Sequence, residues 1–142
     1  MGLGNLDIFQ DILETRRRNM LYLIGQFRRF DKFFITLKEE SFEKLGPHAF
    51  SIILRPGLNF TKDEFVAYIE SRGIDSRNLF YSMPTQCPSY AFLGYKLGSF
   101  PEAEYCSDHG THIGIHQDIG VGQLDYVVEA VEQFLISKGH SS

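Results

Sequence analysis

The tightest constraint on the fold lies between residues 46 and 74. His48 to Arg55 (HAFSIILR) is a short apolar, β-branched run, preceded by Gly46-Pro47 and closed by Pro56-Gly57, which reads as a strand that stops at a turn. Just beyond, Thr61-Lys62-Asp63-Glu64 has the spacing of a capping box. There the threonine hydroxyl accepts from the backbone of the third helical residue, and the glutamate returns the bond. A helix is therefore expected from that point, with Phe65, Val66 and Ile69 on its apolar face and Gly73 as the left-handed residue that stops it before Ile74. Strand, turn and helix in close succession require a layered arrangement in which the helix lies on a sheet.

The remaining segments extend this pattern. Leu6, Phe9, Leu13, Met20, Leu21, Ile24 and Phe27 recur with near-helical spacing and predict one long helix over residues 6 to 30. Arg16-Arg17-Arg18 and Arg28-Arg29 fall on or beside its polar face, and Glu14 stands four residues before Arg18 in the favourable acid-then-base order. Consecutive helical residues are turned by about 100°, so the three arginines cannot face one point and do not form a concentrated phosphate site. Phe33 to Leu37 reads as a second strand, and a short one follows Ile74. Ser82 to Pro101 has no sustained period and reads as a long ordered loop, whose Tyr90, Phe92 and Tyr95 are expected to pack against something. Pro101 opens a short helix. Thr111 to His116 alternates, with His112, Gly114 and His116 on one strand face and Ile113 and Ile115 on the other. Leu124 to Leu135 closes the order as an amphipathic helix. The fold class is α+β, an α/β layered domain.

At 142 residues, 43% of them apolar, the chain is long enough for one core and too short for a large two-domain cofactor enzyme, although one lobe of such an enzyme fits. The formal charge of -4 offers no overall attraction for nucleic acid. The apolar runs fall far short of the roughly 20 residues of a membrane helix, and a cytoplasmic location is expected. Cys87 and Cys106 are read as free thiols of a reduced compartment.

Cys87, Cys106, His109, His112 and His116 lack metal-ligand spacing; His112 and His116 stand roughly 13 Å apart by strand rise, too far to share an ion. Asp108-His109 is placed in a turn, where a local hydrogen bond or a helix-end role accounts for both without catalysis. No signal pairs Cys87 with a histidine as an activated nucleophile. The glycine pairs at Gly110 and Gly114 and at Gly120 and Gly122 are not a phosphate loop. Lys62 and Lys96 lack the setting of a Schiff-base lysine. On residue chemistry alone the chain has no catalytic set and no cofactor or metal site.

A set of ordered motifs adds to this reading. Gly73-Ile74-Asp75-Ser76-Arg77-Asn78-Leu79-Phe80, then Gln86-Cys87-Pro88-Ser89-Tyr90, then Phe100-Pro101-Glu102-Ala103-Glu104, then His112 to Ile119 and Leu124-Asp125-Tyr126-Val127 resemble the C-terminal lobe of the DegT/DnrJ/EryC1/StrS sugar aminotransferase family. The spacing from Arg77 to Tyr90 looks closer to the branch that includes sugar 3-dehydratases. The stretch from Glu14 to Leu23 is similar to the family's helix joining a large cofactor domain to the small one.

The resemblance implies the small domain of a fold-type I pyridoxal-phosphate enzyme, with a long N-terminal helix and a small, mainly antiparallel sheet covered by helices. It divides the chain into a connecting helix over 1–31, the small domain over 32–138 and a flexible tail over 139–142. It implies a nucleotide-sugar aminotransferase or dehydratase as parent, whose cofactor groups belong to a missing N-terminal domain, so that the isolated chain is no enzyme and holds no pyridoxal phosphate. The lobe's expected contribution is substrate closure and positioning. Arg77 is the candidate for an anionic group, with a structural bond to loop carbonyls as its alternative role. Gln86 and Tyr90 are weaker substrate-binding candidates, Tyr90 with a packed ring as the alternative. Where many relatives carry a histidine before the proline-aromatic end of the loop, this chain has Met83-Pro84-Thr85-Gln86. The other reading is a standalone binding or homo-oligomerising domain derived from that lobe, with the aromatics from Tyr81 to Tyr95 as its surface.

Overall fold

The computed structural model describes residues 6–79 and 83–140. Its elements are helix α1 (Phe9–Phe27) with a 3-10 turn at Arg28–Phe30, strands β1 (Phe34–Thr36) and β2 (Ala49–Leu54), helix α2 (Lys62–Ser71), strand β3 (Ser76–Asn78), 3-10 turns at Pro84–Gln86 and Pro88–Leu93, helix α3 (Pro101–His109), strand β4 (Gly110–Gly114) and helix α4 (Val121–Ser137). The four strands form one sheet in the order β1-β2-β4-β3, and every pair is antiparallel. The α+β class and the small antiparallel sheet under helices are thereby borne out.

The capping box is present: Thr61 accepts from the Glu64 backbone and Glu64 from that of Thr61. At the other end Gly73 has φ +75°, and Ile74 N–H donates to Ile69 O at 3.1 Å, the bond that closes a left-handed helix stop. Alternation along β2 puts Phe50, Ile52 and Leu54 in the core, where Ile113 and Ile115 join them from the β4 segment. Onto this face pack Met20, Leu23 and Phe27 of α1, Phe65 and Ile69 of α2, and Leu124, Val128, Val131, Phe134 and Leu135 of α4. Much of the core is aromatic. Phe27 lies 4.9 Å from Phe50, Phe34 5.1 Å from Phe65 and Phe65 5.3 Å from Phe134, centroid to centroid.

Four sequence expectations need correction. Glu14 accepts from Gln10 Nε2 at 2.7 Å, one helical turn back, rather than pairing with Arg18. The helix begins at Phe9 rather than at residue 6, and Leu6, Ile8 and Phe9 are exposed, because the core begins only at Asn19 and Met20. Asp108 and His109 lie in the last turn of a helix rather than in a separate turn, and so take the helix-end role; His109 stacks on Tyr105 at 4.1 Å, four residues before it. The loose tail expected from Gly139 is held as far as His140. Gly139 takes φ +86°, His140 N–H reaches Leu135 O at 3.0 Å, and the His140 ring packs 4.7 Å from Phe33 while its Nε2 meets Asn59 Oδ1 at 2.8 Å. Ser141 and Ser142 lie outside the described residues.

Candidate functional site

Helices α1, α2 and α4 cover one face of the sheet. On the other, register sets Ser51 opposite His112 and His112 opposite Arg77, so the three side chains form a row across β2, β4 and β3. One end of this face is filled. Leu79 and the backbone of Cys106 crowd Gly110 so closely that a Cβ there would stand 2.2 Å from Leu79 Cδ1 and 2.3 Å from Cys106 O. The other end opens into a depression of about 320 Å³ lined by Arg16, His48, Asp75, Arg77, His112 and His116, among others.

The arginine run splays as its helical spacing requires. Arg17 forms an ion pair with Glu39, which also accepts from Leu45 N–H at 3.0 Å, and so ties α1 to the polar segment after β1. Arg18 is exposed. Only Arg16 turns toward the depression, where its Nε donates to Gln117 Oε1 at 3.1 Å. His48 and His112 face each other with ring centroids 6.4 Å apart. His116 Nδ1 lies 3.3 Å from Asp118 Oδ2. Burial, followed by the positive charge of His48 and Arg77, pushes the His112 pKa below the ordinary histidine value.

The three residues singled out from sequence are separated by this geometry. Arg77 lines the depression; among the described residues its guanidinium has no hydrogen-bond or ion-pair partner, so the alternative of a bond to loop carbonyls is not what these residues make. Gln86 is committed elsewhere: its amide donates to Glu104 Oε1 at 2.5 Å and to Lys96 O at 2.8 Å. Tyr90 is 47% exposed, its ring 6.2 Å from Phe92, in place of the packed ring expected as its alternative role. Phe80, Tyr81 and Ser82, part of the loop assigned to the substrate entrance, lie outside the described residues.

What the sequence reading missed is the meeting of Arg16, His48 and His112. The alternation around His112 gave its face, but only the pairing register and the seat of α1 bring it to the other two. A second unforeseen feature is Glu104. Its carboxylate accepts from Gln86, from Gly98 N–H at 2.9 Å and from Phe100 N–H at 3.2 Å, so one side chain of α3 clasps both ends of the loop.

These bonds hold the Glu104 carboxyl below its ordinary pKa, the Gln86 amide contributing most. A lowered carboxylate pKa means the clasp is complete above the ordinary carboxylate range and is lost as pH falls through the lower folded value. Glu104→Ala is expected to reduce amide-exchange protection at Gly98 and Phe100 at least tenfold while the strands and α4 keep theirs. In the unaltered chain the same amides should lose protection on acidification and in the variant they should not. Unchanged protection in the variant would show that the loop is held by other means.

Pyridoxal phosphate, which the resemblance implies for the parent, needs an acid for its ring nitrogen, donors around its phosphate and, for covalent anchoring, the primary amine of a lysine. Lys138 is bound to Glu64 at 2.6 Å and Lys62 points at Ser107 O, 3.5 Å away. No lysine lines the basic depression, and its acid, Asp75, is exposed. The basic depression therefore does not fit the cofactor. Among them, no group of three or more histidine, cysteine or acidic side chains is placed to hold a metal, and no helix is long and apolar enough to cross a membrane.

The model of the DegT/DnrJ/EryC1/StrS aminotransferase family matches residues 1–132. The lipopolysaccharide biosynthesis protein RfbH of Salmonella typhimurium is 27% identical over 136 residues, covering 94% of this chain and 31% of that protein. The GDP-perosamine synthase of Caulobacter vibrioides is 30% identical over 139 residues, 96% of this chain and 36% of the synthase. Among solved structures, E. coli GDP-4-keto-6-deoxy-D-mannose-3-dehydratase with bound hydrated pyridoxal phosphate superposes with a TM-score of 0.78 at 20% identity, over 91% of this chain and 33% of that one. The chain thus spans about a third of the length of these relatives.

Proposed function

Since the chain belongs to the DegT/DnrJ/EryC1/StrS aminotransferase family, we propose that it serves as the small C-terminal lobe of a pyridoxal-phosphate-dependent nucleotide-sugar aminotransferase or dehydratase. In this reading the lobe closes over and positions the substrate with the open end of its sheet, and a further domain holds the cofactor, with helix α1 (Phe9–Phe27) as the joint between them. The observation that carries the proposal is the pairing of a family match along nearly the whole chain with a length about a third of that of its relatives, supported by the poor fit of its basic depression to the cofactor.

The test is a titration of the purified chain with pyridoxal phosphate, followed by visible absorbance, together with an assay of transamination and dehydration on nucleotide sugars. No saturable cofactor binding and no turnover are expected from the chain alone. Saturable binding coupled to turnover would falsify the proposal.

A second reading, a standalone domain that self-associates, is favoured by one surface: Phe92 is 80% and Leu97 87% exposed, beside the partly exposed Tyr90, Leu93 and Tyr95. Apolar side chains grouped in this way on a surface commonly mark an interface. Mass measured across a concentration series separates the two readings, since a chain that stays monomeric throughout excludes self-association.

A further inference from the structure

We propose that the depression on the open sheet face is a diphosphate site in which His48 and His112 act together with Arg16 and Arg77, and that His112 takes up a proton as the anion enters. The inference rests on the proposed function, for which it names the part of the nucleotide sugar that the lobe holds.

The chain carries 18 acidic against 14 lysine and arginine side chains, yet this depression gathers Arg16, Arg77, His48, His112 and His116 against the single acid Asp75. The nearby Asp118 is engaged by His116. Arg77, with no partner among the described residues, retains a full guanidinium fork for bidentate binding of phosphoryl oxygens. Residues from α1, β3, β4 and the start of β2 converge from several sides, which suits a ligand with anionic oxygens on more than one centre. A lone carboxylate needs only one fork. A volume of about 320 Å³ lies at the small end of ligand pockets and suits the diphosphate portion of a larger substrate.

His112 is set among charged and titratable neighbours. It is half-buried and faces His48 from the β2 side, Arg77 and Asp75 from the β3 side, Arg16 from α1, and His116 with Asp118 from the segment after β4. Burial and positive neighbours favour its neutral form in the free chain. An anion seated among the same groups reverses the local field and favours the imidazolium, which then donates from both ring nitrogens. Proton uptake on binding means that affinity rises as pH falls, by up to tenfold per pH unit between the free and bound pKa values.

The experiment is calorimetric titration of the purified chain with GDP-mannose, whose diphosphate has a fixed charge over the range used, at pH 6 and pH 8. Saturable binding is expected, several-fold tighter at pH 6. Arg77→Ala should weaken it at least tenfold at both pH values. His112→Gln, checked for folding by circular dichroism, should keep binding with a clearly smaller pH dependence. Absence of saturable binding, indifference to Arg77→Ala, or an undiminished pH slope in His112→Gln would each overturn the site. Equal displacement by glutamate would make it a carboxylate site, and equal binding of inorganic phosphate would remove the diphosphate selectivity. None of these measurements involves the cofactor, so failure here and failure of the absorbance test are separate results.

Discussion

Gly110→Ala is expected to lower the melting temperature by roughly 10 °C, from a destabilisation of about 3 kcal/mol. The cause is contact alone, because Gly110 has an ordinary extended backbone at φ -104° that alanine adopts freely. The added methyl would stand 2.2 Å from Leu79 Cδ1 and 2.3 Å from the carbonyl oxygen of Cys106, both inside van der Waals contact. Leu79 can change rotamer, whereas the carbonyl belongs to the last turns of α3 and can yield only if the helix shifts. Adding Leu79→Ala should therefore recover only part of the loss. Thermal unfolding of the single and double variants decides the matter. Full rescue by Leu79→Ala would show that the helix-to-strand junction tolerates a side chain and that the leucine alone was the obstacle.

Phe134→Ala should cost about 3 to 5 kcal/mol, the largest loss expected from truncating a single core side chain. Phe134 is 1% exposed and its ring centroid lies 4.9 Å from Phe60, 5.3 Å from Phe65 and 5.2 Å from Tyr68. It thus joins α4 to α2 and to the turn before α2. Lys138 sits over the same ring at 5.5 Å while pairing with Glu64. That bond, with those of the capping box, brings the Glu64 carboxyl down to a pKa of about 2. Phe134→Leu should recover more than half of the loss by filling most of the volume. Denaturant unfolding gives both numbers. An alanine cost below about 1.5 kcal/mol would mean that the rings close over the gap, which the edge-to-face geometry argues against.

Much of the fold was legible because its signals are local. The Thr61 to Glu64 box, the Gly73 stop and the β2 alternation each depend on neighbours a few residues away in sequence. Gly139 carries the same left-handed signal as Gly73, but what fixes the residue after it, the Phe33 ring and Asn59, is distant in the chain and cannot be read from spacing. Glu14 offered two partners at one helical turn, Gln10 and Arg18, and periodicity does not choose between them.

The loop shows the sharpest limit. Its aromatics suggested packing, yet Tyr90, Phe92 and Tyr95 remain largely exposed, and the order comes instead from Glu104, a residue that reads simply as an acid near a helix start. That bond also explains why Gln86 is not available as a substrate contact. The basic depression was only partly visible. Arg77 stood out through its motif, and His112 and His116 through alternation, but Arg16 and His48 meet them only once strand register and the seat of α1 are fixed.

Helix α1 carries a mechanical consequence. Its 19 residues make a rod about 28 Å long. Met20, Leu23 and Phe27 are locked in the core at one end, while Leu6, Ile8 and Phe9 stand exposed at the other. No proline or glycine interrupts the stretch from Phe9 to Ile24, so the rod has no soft point between its exposed end and the core anchors Met20 and Leu23. Whatever grips the Phe9 end therefore steers the sheet as a lever steers its load: a tilt of about 5° imposed there displaces the far end by roughly 2.5 Å over that length. This is enough to carry the basic depression into or out of hydrogen-bonding reach of a bound anion without altering one contact inside the domain.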